Sequence, residues 1–311
     1  MAVLVANRGT GVLSRSIGDY PDGIIVPVDK PYRWTSADVV RKLKFAAKKH
    51  FGQKNLKVGH AGTLDPLATG VLIICIGKAT KLAEEIQRSD KEYVAGITFG
   101  ATTPSYDLEK PIDRFFPVDG VSEAAVARAL EGFIGEQEQI APLFSAKSVD
   151  GVRAYELARK MYRQGALDAL DSEAEAILSK QLIRINEIEL LSFKEGDFST
   201  SLERTEKPMS FRPESKGRSG EISTASSRIN VTDNTALGLP RAEVRLACSK
   251  GTYVRAFARD LGEALGTGAH LDSLRRTACG GFRASEALSV EQAAALFAPP
   301  EKATIENQTL T

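Results

Sequence analysis

Apolar and polar residues alternate along two stretches of the chain. In EYVAGITFG, Tyr93, Ala95, Ile97 and Phe99 fall on one side of an extended backbone; in RAEVRLACSKG, Ala242, Val244, Leu246 and Cys248 do the same. A period of two is that of a strand with one covered face. DGIIVPV, VLIICIG and IRINEIELLSF read as further strands. Elsewhere the period lengthens. Val39, Val40, Leu43, Ala46 and Ala47 form a helical stripe in TSADVVRKLKFAAKKHFG, where Thr35 or Ser36 can cap, Asp38 sits in the first turn and Gly52 can stop the helix. Residues 122–134 and 152–163 also read as helices, as does TYVRAFARDLGEALG, with Gly266 as its stop. Strands and helices mix without regular βαβ alternation. The predicted class is therefore α+β, built on a mixed or antiparallel sheet.

Two regions depart from this pattern. Residues 1–22 mix short apolar runs with glycine and serine and read as an N-terminal extension. Residues 195–238 are rich in Ser, Thr, Gly and charge, too polar to bury much surface, and read as a mobile insertion. The body spans 23–290, and 291–311 form a short polar tail.

Composition narrows the class without choosing a function. With 311 residues, 42% hydrophobic and 26% charged, the chain can bury a substantial core. A net charge of +1 creates no global field. Cys75, Cys248 and Cys279 are widely spaced and fit neither a disulfide framework nor a zinc site. No charged-then-apolar leader and no apolar run of spanning length occurs, which predicts a soluble cytoplasmic protein away from membranes.

Charge is nonetheless segregated. From Arg41 to Lys57, RKLKFAAKKHFGQKNLK carries seven Lys or Arg and no acid. Lys250, Arg255 and Arg259 form a second basic cluster, and Arg275, Arg276 and Arg283 a third. Such runs suit a polyanion whose phosphates they anchor, although a solvated helix face has the same composition.

Two familiar chemistries fail on spacing. A phosphate-binding loop around Gly77-Lys78 needs glycine where Leu72 stands and Ser or Thr where Ala79 stands. A serine hydrolase needs a nucleophile elbow that is absent, and the three histidines, His50, His60 and His270, have no local triad partners. By itself His60, beside glycine, reads as a loop residue.

Asp65 stands apart. It is held between Leu64 and Pro66, with Lys57 and Lys78 as its nearest charged neighbours in sequence, and Gly62 and Gly70 permit another segment to approach. A carboxylate in such a setting needs a cation, for which Lys30, Lys250 and Arg255 are candidates. Arg255 is favoured because a guanidinium stays charged and can clamp a carboxylate. Residue physics leaves two readings open: a structural ion pair or turn cap, and a nucleophile.

VGHAGTLDPLATGVLIICIGKATKL, which contains Asp65, resembles the signature segment of the TruB family of tRNA pseudouridine synthases. Four further segments agree in order: VDKPYRWTSADVVRKL, SDKEYVAGITFGATTPSYD, APLFSAKSVDGVRAYELAR and CSKGTYVRAFARDLGEALGTGAHLDSLRR. Together they span about residues 23–283. The resemblance implies isomerisation of the T-loop uridine at tRNA position 55, on a pseudouridine-synthase-like, mainly antiparallel sheet flanked by helices and loops. It implies Asp65 as nucleophile, Arg255 as its ion-pair partner, and Tyr93 as the ring that stacks on the extruded base and can assist proton removal. It places Leu274 across the pocket and His60 in the T loop, with Tyr253, Lys30, Arg41 and Lys42 as further substrate contacts. It calls for no metal or organic cofactor, no guide RNA and no second copy of the chain; its partner is the tRNA T arm. Competing readings are a non-catalytic tRNA-binding or tRNA-folding protein and a guide-RNA-dependent relative.

Departures from the family pattern are local. Only residues 284–311 follow Arg283, too few for the PUA domain many members carry. The polar insertion is unusual, Lys147 sits one place early in SAKSVDG, and Arg33 stands where glycine is usual.

Overall fold

A computed structural model of the chain describes residues 3–145, 147–149, 152–165, 170–196, 229 and 231–297. Most of the insertion expected at 195–238, and the tail from residue 298, lie outside the described residues. The chain begins with β1 (Leu4–Val5), β2 (Ile24–Lys30), α1 (Ser36–Phe51), β3 (Val58–His60) and β4 (Ala68–Ile76). There follow α2 (Ala83–Arg88), β5 (Lys91–Phe99), the short pair β6 (Ala101–Thr102) and β7 (Arg114–Phe115), α3 (Glu123–Glu131) and β8 (Gly135–Gln139). A second short pair, β9 (Ser148–Val149) and β10 (Val152–Arg153), precedes α4 (Ala154–Arg163) and α5 (Leu170–Ile177). The last elements are β11 (Gln181–Lys194), β12 (Arg241–Cys248), α6 (Val254–Ala264), β13 (Ala269–Cys279), β14 (Phe282–Arg283) and α7 (Val290–Ala295).

One large sheet runs β1-β2-β4-β13-β5-β12-β11-β8, with β3 added on β4 and β14 on β13. Its pairings are antiparallel except β1 with β2 and β4 with β13. The α+β expectation is met. On β5 and β12 the alternating residues named from sequence all point into one core, packed under α1, α3, α6 and α7. The run VLIICI of β4 does not alternate because both of its faces are covered. Leu72, Ile74 and Ile76 join that core, while Val71, Ile73 and Cys75 join a second one behind the sheet. Each such fully buried side chain contributes about 1.5–3 kcal/mol of transfer free energy.

Helix α1 sits where its stripe predicts. Thr35 Oγ1 accepts from the Asp38 N–H at 3.0 Å while the Asp38 carboxylate accepts from the Thr35 N–H at 3.1 Å, and Gly52 closes the helix at φ 64°. Val39, Leu43, Ala47 and Phe51 are buried.

Both ends of the described chain close around the far end of α1. The segment read as an extension supplies β1, buries Ala6 and Leu13, and brings the Ser14 carbonyl 2.9 Å from His50 Nε2. The start of the segment read as a tail belongs to α7, followed by buried Leu296 and by Phe297, whose ring meets Phe51 edge-on. Polar flanks hid both from a reading by composition. Among the described residues no helix is long and apolar enough to cross a membrane.

Candidate active site

The loop between β3 and β4 carries Asp65, and buried side chains hold this loop by its backbone. Ser36, at the start of α1, donates its hydroxyl to the Leu64 carbonyl at 3.0 Å and accepts from the Leu64 N–H at 2.9 Å. Arg276 donates to the carbonyls of Val71, Gly62 and Thr63 at 2.8, 3.1 and 3.4 Å. Lys30 donates to those of Trp34, Pro31 and Pro66 at 2.6, 3.1 and 3.2 Å. These charge-assisted bonds leave the loop little freedom. Gly70 lets β4 lie against β13: its φ is 101°, and a Cβ there would stand 2.1 Å from the Arg276 carbonyl oxygen.

Arg255, in the first turn of α6, reaches the loop from across the sheet. Its Nε donates to Asp65 Oδ2 at 2.8 Å, while Nη1 and Nη2 donate to the carbonyls of Ser105 and Phe144, each at 3.0 Å. A second carboxylate, Asp107 Oδ2, lies 3.8 Å from the same Nε. The Arg255 side chain is 6% exposed and that of Asp65 37%, so the acid is the member of the pair that faces solvent. Burial alone would lower the Arg255 pKa, but the charges of Asp65 and Asp107 outweigh it and hold the guanidinium above its ordinary range. Burial pushes the Asp107 carboxyl up against the opposing pull of Arg255 and Ser105. Asp107 accepts from Ser105 Oγ at 2.6 Å and from the Glu109 N–H at 2.9 Å.

A narrow cleft opens beside this pair, lined by Asp65, Leu67, Asp107, Leu108, Leu271 and Leu274 among others. Its free space is about 20 Å³, room for roughly one water molecule. Leu274 lines one wall of this cleft. Tyr93 lies on β5 and Leu274 on β13, where Leu274 pairs with Ala95 and Arg276 with Tyr93. The tyrosine ring is 8% exposed, and burial pushes its phenol up to about 12. Tyr253 caps α6 just ahead of Arg255; its N–H donates to Gln139 Oε1 at 2.8 Å and burial raises its phenol. His60 ends β3 half-buried. Its Nδ1 is buried without a hydrogen-bond partner among the described residues, and burial, then the Arg276 charge, lowers its pKa, which favours the neutral ring.

Other sequence-predicted groups fall outside the cleft. Lys30 is 0% exposed, and its ammonium is committed to three backbone carbonyls, so it supports the Asp65 loop from beneath rather than touching a substrate. Burial lowers its pKa to about 8 against the pull of Asp65. Arg41 pairs with Asp38 at 2.6 Å, and Lys42 pairs with Glu291 at 3.0 Å while lying 5.4 Å from the centre of the Trp34 ring. Lys250, the remaining candidate partner of Asp65, is exposed. Most of the later basic clusters are spent internally. Arg259 pairs with Asp260, Arg275 with Asp29, and Arg276 is buried on carbonyls. Lys44, Lys48, Lys49, Lys54 and Lys57 have no carboxylate partner among the described residues, so the run on and after α1 remains an unpaired part of the basic surface.

Sequence reasoning missed Asp107, Ser36 and the buried role of Arg276. Asp107 closes the quoted segment SDKEYVAGITFGATTPSYD, but Glu109 two residues on masks it from a search for isolated acids.

Comparison with known proteins supplies the family. Residues 48–207 match the family model described as TruB family pseudouridylate synthase (N terminal domain), and residues 255–306 match tRNA pseudouridylate synthase B C-terminal domain. The tRNA pseudouridine synthase B of Phocaeicola vulgatus is 44% identical over 273 residues, covering 88% of this chain and 92% of that protein. The protein of the same name from Bacteroides thetaiotaomicron is 42% identical, over 88% of this chain and 92% of its own length. That of Deinococcus radiodurans is 37% identical, over 86% and 77%. Among solved structures, the archaeal box H/ACA sRNP Nop10-Cbf5 complex contains a chain with a related fold. The TM-score is 0.51 at 19% identity, over 95% of this chain and 63% of that one.

Proposed function

The chain belongs to the TruB family of pseudouridylate synthases, and on that premise we propose that it converts the T-loop uridine at position 55 of tRNA into pseudouridine, with Asp65 as nucleophile. The observation that carries this reading is the division of labour at one carboxylate. Oδ2 of Asp65 is fixed by Arg255 at 2.8 Å, and the part-exposed side chain lines the cleft closed by Leu274. A nucleophile needs this combination of an oriented anion and access to the reacting atom.

The reaction exchanges one bond for another. The bond from N1 of uracil to C1′ of the ribose breaks, the base turns, C5 bonds to C1′, and the proton lost from C5 is balanced by one gained at N1, so that the product is an isomer of the substrate. Asp65 holds the fragments by attacking C1′ or by adding to C6 of the ring. The target base must first leave its stack. Because the space beside Asp65 holds roughly one water molecule, a pyrimidine enters only as Leu274 and the 105–108 loop part. Tyr93, on the strand next to Leu274 and held protonated by burial, is the ring the family resemblance assigns to stacking on the base. His60, whose ring burial keeps uncharged, is the residue the family resemblance assigns to the RNA loop. The likeness to the archaeal Cbf5 complex is one of fold alone and carries no partner over. Relatives matching across nine-tenths of their length are named for tRNA, which supports tRNA as substrate.

The test is incubation with an unmodified T-arm stem-loop and mapping of pseudouridine at nucleotide resolution. A single product at position 55 supports the reading. Product elsewhere, or none without an added guide RNA, contradicts it.

A further inference from the structure

One short run of chain bonds to the turn that carries Arg33 and to two segments that line the cleft. Ile229 accepts at its carbonyl from Arg33 Nη2 at 2.7 Å. Thr232 donates its N–H to the carbonyl of Leu108, a cleft-lining residue, at 2.9 Å. Asn234 Nδ2 lies 3.2 Å from Nε2 of His270, next to cleft-lining Leu271, and His270 Nδ1 lies 2.9 Å from the Ala101 carbonyl. A ring that gives its Nδ1 proton to that carbonyl accepts from Asn234 at the other nitrogen.

The first stitch comes at a cost. Arg33 has φ 64°, a left-handed conformation that glycine adopts freely and an arginine does not. Its Nε is buried with no partner among the described residues. Lys30 clamps the turn that carries it, bonding the Pro31 and Trp34 carbonyls together with that of Pro66, beside the nucleophile. Arg33 thus projects from a turn fixed to the Asp65 loop and holds a strap that is bonded to the opposite wall.

We infer that Arg33 is a positioning residue that docks Ile229 and residues 231–234 onto the cleft rim and so makes them part of the RNA-binding wall. This rests on the uridine-isomerase reading. The strap presents Thr232, Asp233 and Asn234 and no cation. An aspartate disfavours phosphate, so the strap meets ribose hydroxyls and base edges of the T-loop strand.

Steady-state kinetics on a T-arm stem-loop, with thermal melts, test this in Arg33→Gly and Arg33→Lys. Glycine suits the backbone, so Arg33→Gly melts at or above the unaltered protein. Its KM rises about tenfold, the loss of one charge-assisted hydrogen bond's worth of order, with kcat nearly unchanged. Lysine can still donate to the Ile229 carbonyl and restores most of the KM. Unaltered KM in Arg33→Gly overturns the inference, as does a fall in kcat and melting temperature together. If the unaltered protein makes no pseudouridine, the isomerase reading fails instead, a result these variants cannot produce.

Discussion

Asp65 and Arg255 lie 190 residues apart in sequence and meet at 2.8 Å, Nε to Oδ2, with the guanidinium's other two nitrogens on the carbonyls of Ser105 and Phe144. One arginine thereby fixes three segments: the Asp65 loop, the loop after β6 and the segment after β8. Lysine cannot copy this. Arg255→Lys keeps the charge but not the planar fork. Turnover is expected to fall at least about a hundredfold, because the carboxylate loses its orientation. Stability is expected to fall by about 2–3 kcal/mol, mostly through the two orphaned buried carbonyls, since Asp65 itself is part-exposed and screened. Single-turnover kinetics and urea denaturation measure the two effects.

Asp107 sets stability against activity. Its pKa in the fold is raised from an ordinary 3.8, chiefly by burial. An acid whose folded pKa is raised contributes stability that is complete below the unfolded value and lost as pH rises through the folded one. At neutral pH the ionised side chain is therefore a net cost. Asp107→Asn keeps an acceptor for Ser105 and Glu109 and removes that cost, so it melts at or above the unaltered protein at neutral pH, with the advantage gone by about pH 4. The guanidinium then leans on Asp65 alone, and turnover drops about tenfold or more. Paired melts and rates check both halves; a variant that is less stable at neutral pH contradicts the assignment.

Gly70→Ala tests the contact of β4 with β13. The φ of 101° and the approach to the Arg276 backbone leave no room for a methyl group. A loss of at least about 3 kcal/mol is expected. A urea midpoint close to that of the unaltered protein would show that the two strands part easily there.

What could be read from the sequence, and what could not, follows from range. Alternation in β5 and β12, the capping box of α1 and the breadth of the β4 run are local, so they were visible in the residues. Arg255 was found as the partner of Asp65 because only a guanidinium combines permanent charge with two-sided bonding. Lys30 misled, because the chemistry that suits a lysine to RNA suits it equally to three inward carbonyls. Arg276 misled in the same way. The fate of such a side chain depends on which strand pairs with which, a long-range fact that no window of sequence contains. Arg33 was visible as an oddity in the Asp-Lys-Pro segment, but its bond to Ile229 lies 196 residues away.

The proposed function places the chemistry on the Asp65 carboxylate. Asparagine has the same shape, accepts the same hydrogen bond from Arg255, and cannot attack. Nucleotide-resolution mapping of pseudouridine in a T-arm stem-loop incubated with Asp65→Asn, alongside a binding titration of the same RNA, tests this most directly. Asp65→Asn is expected to give no product, with RNA affinity close to that of the unaltered protein. Product formed by Asp65→Asn at a rate near that of the unaltered protein would contradict it.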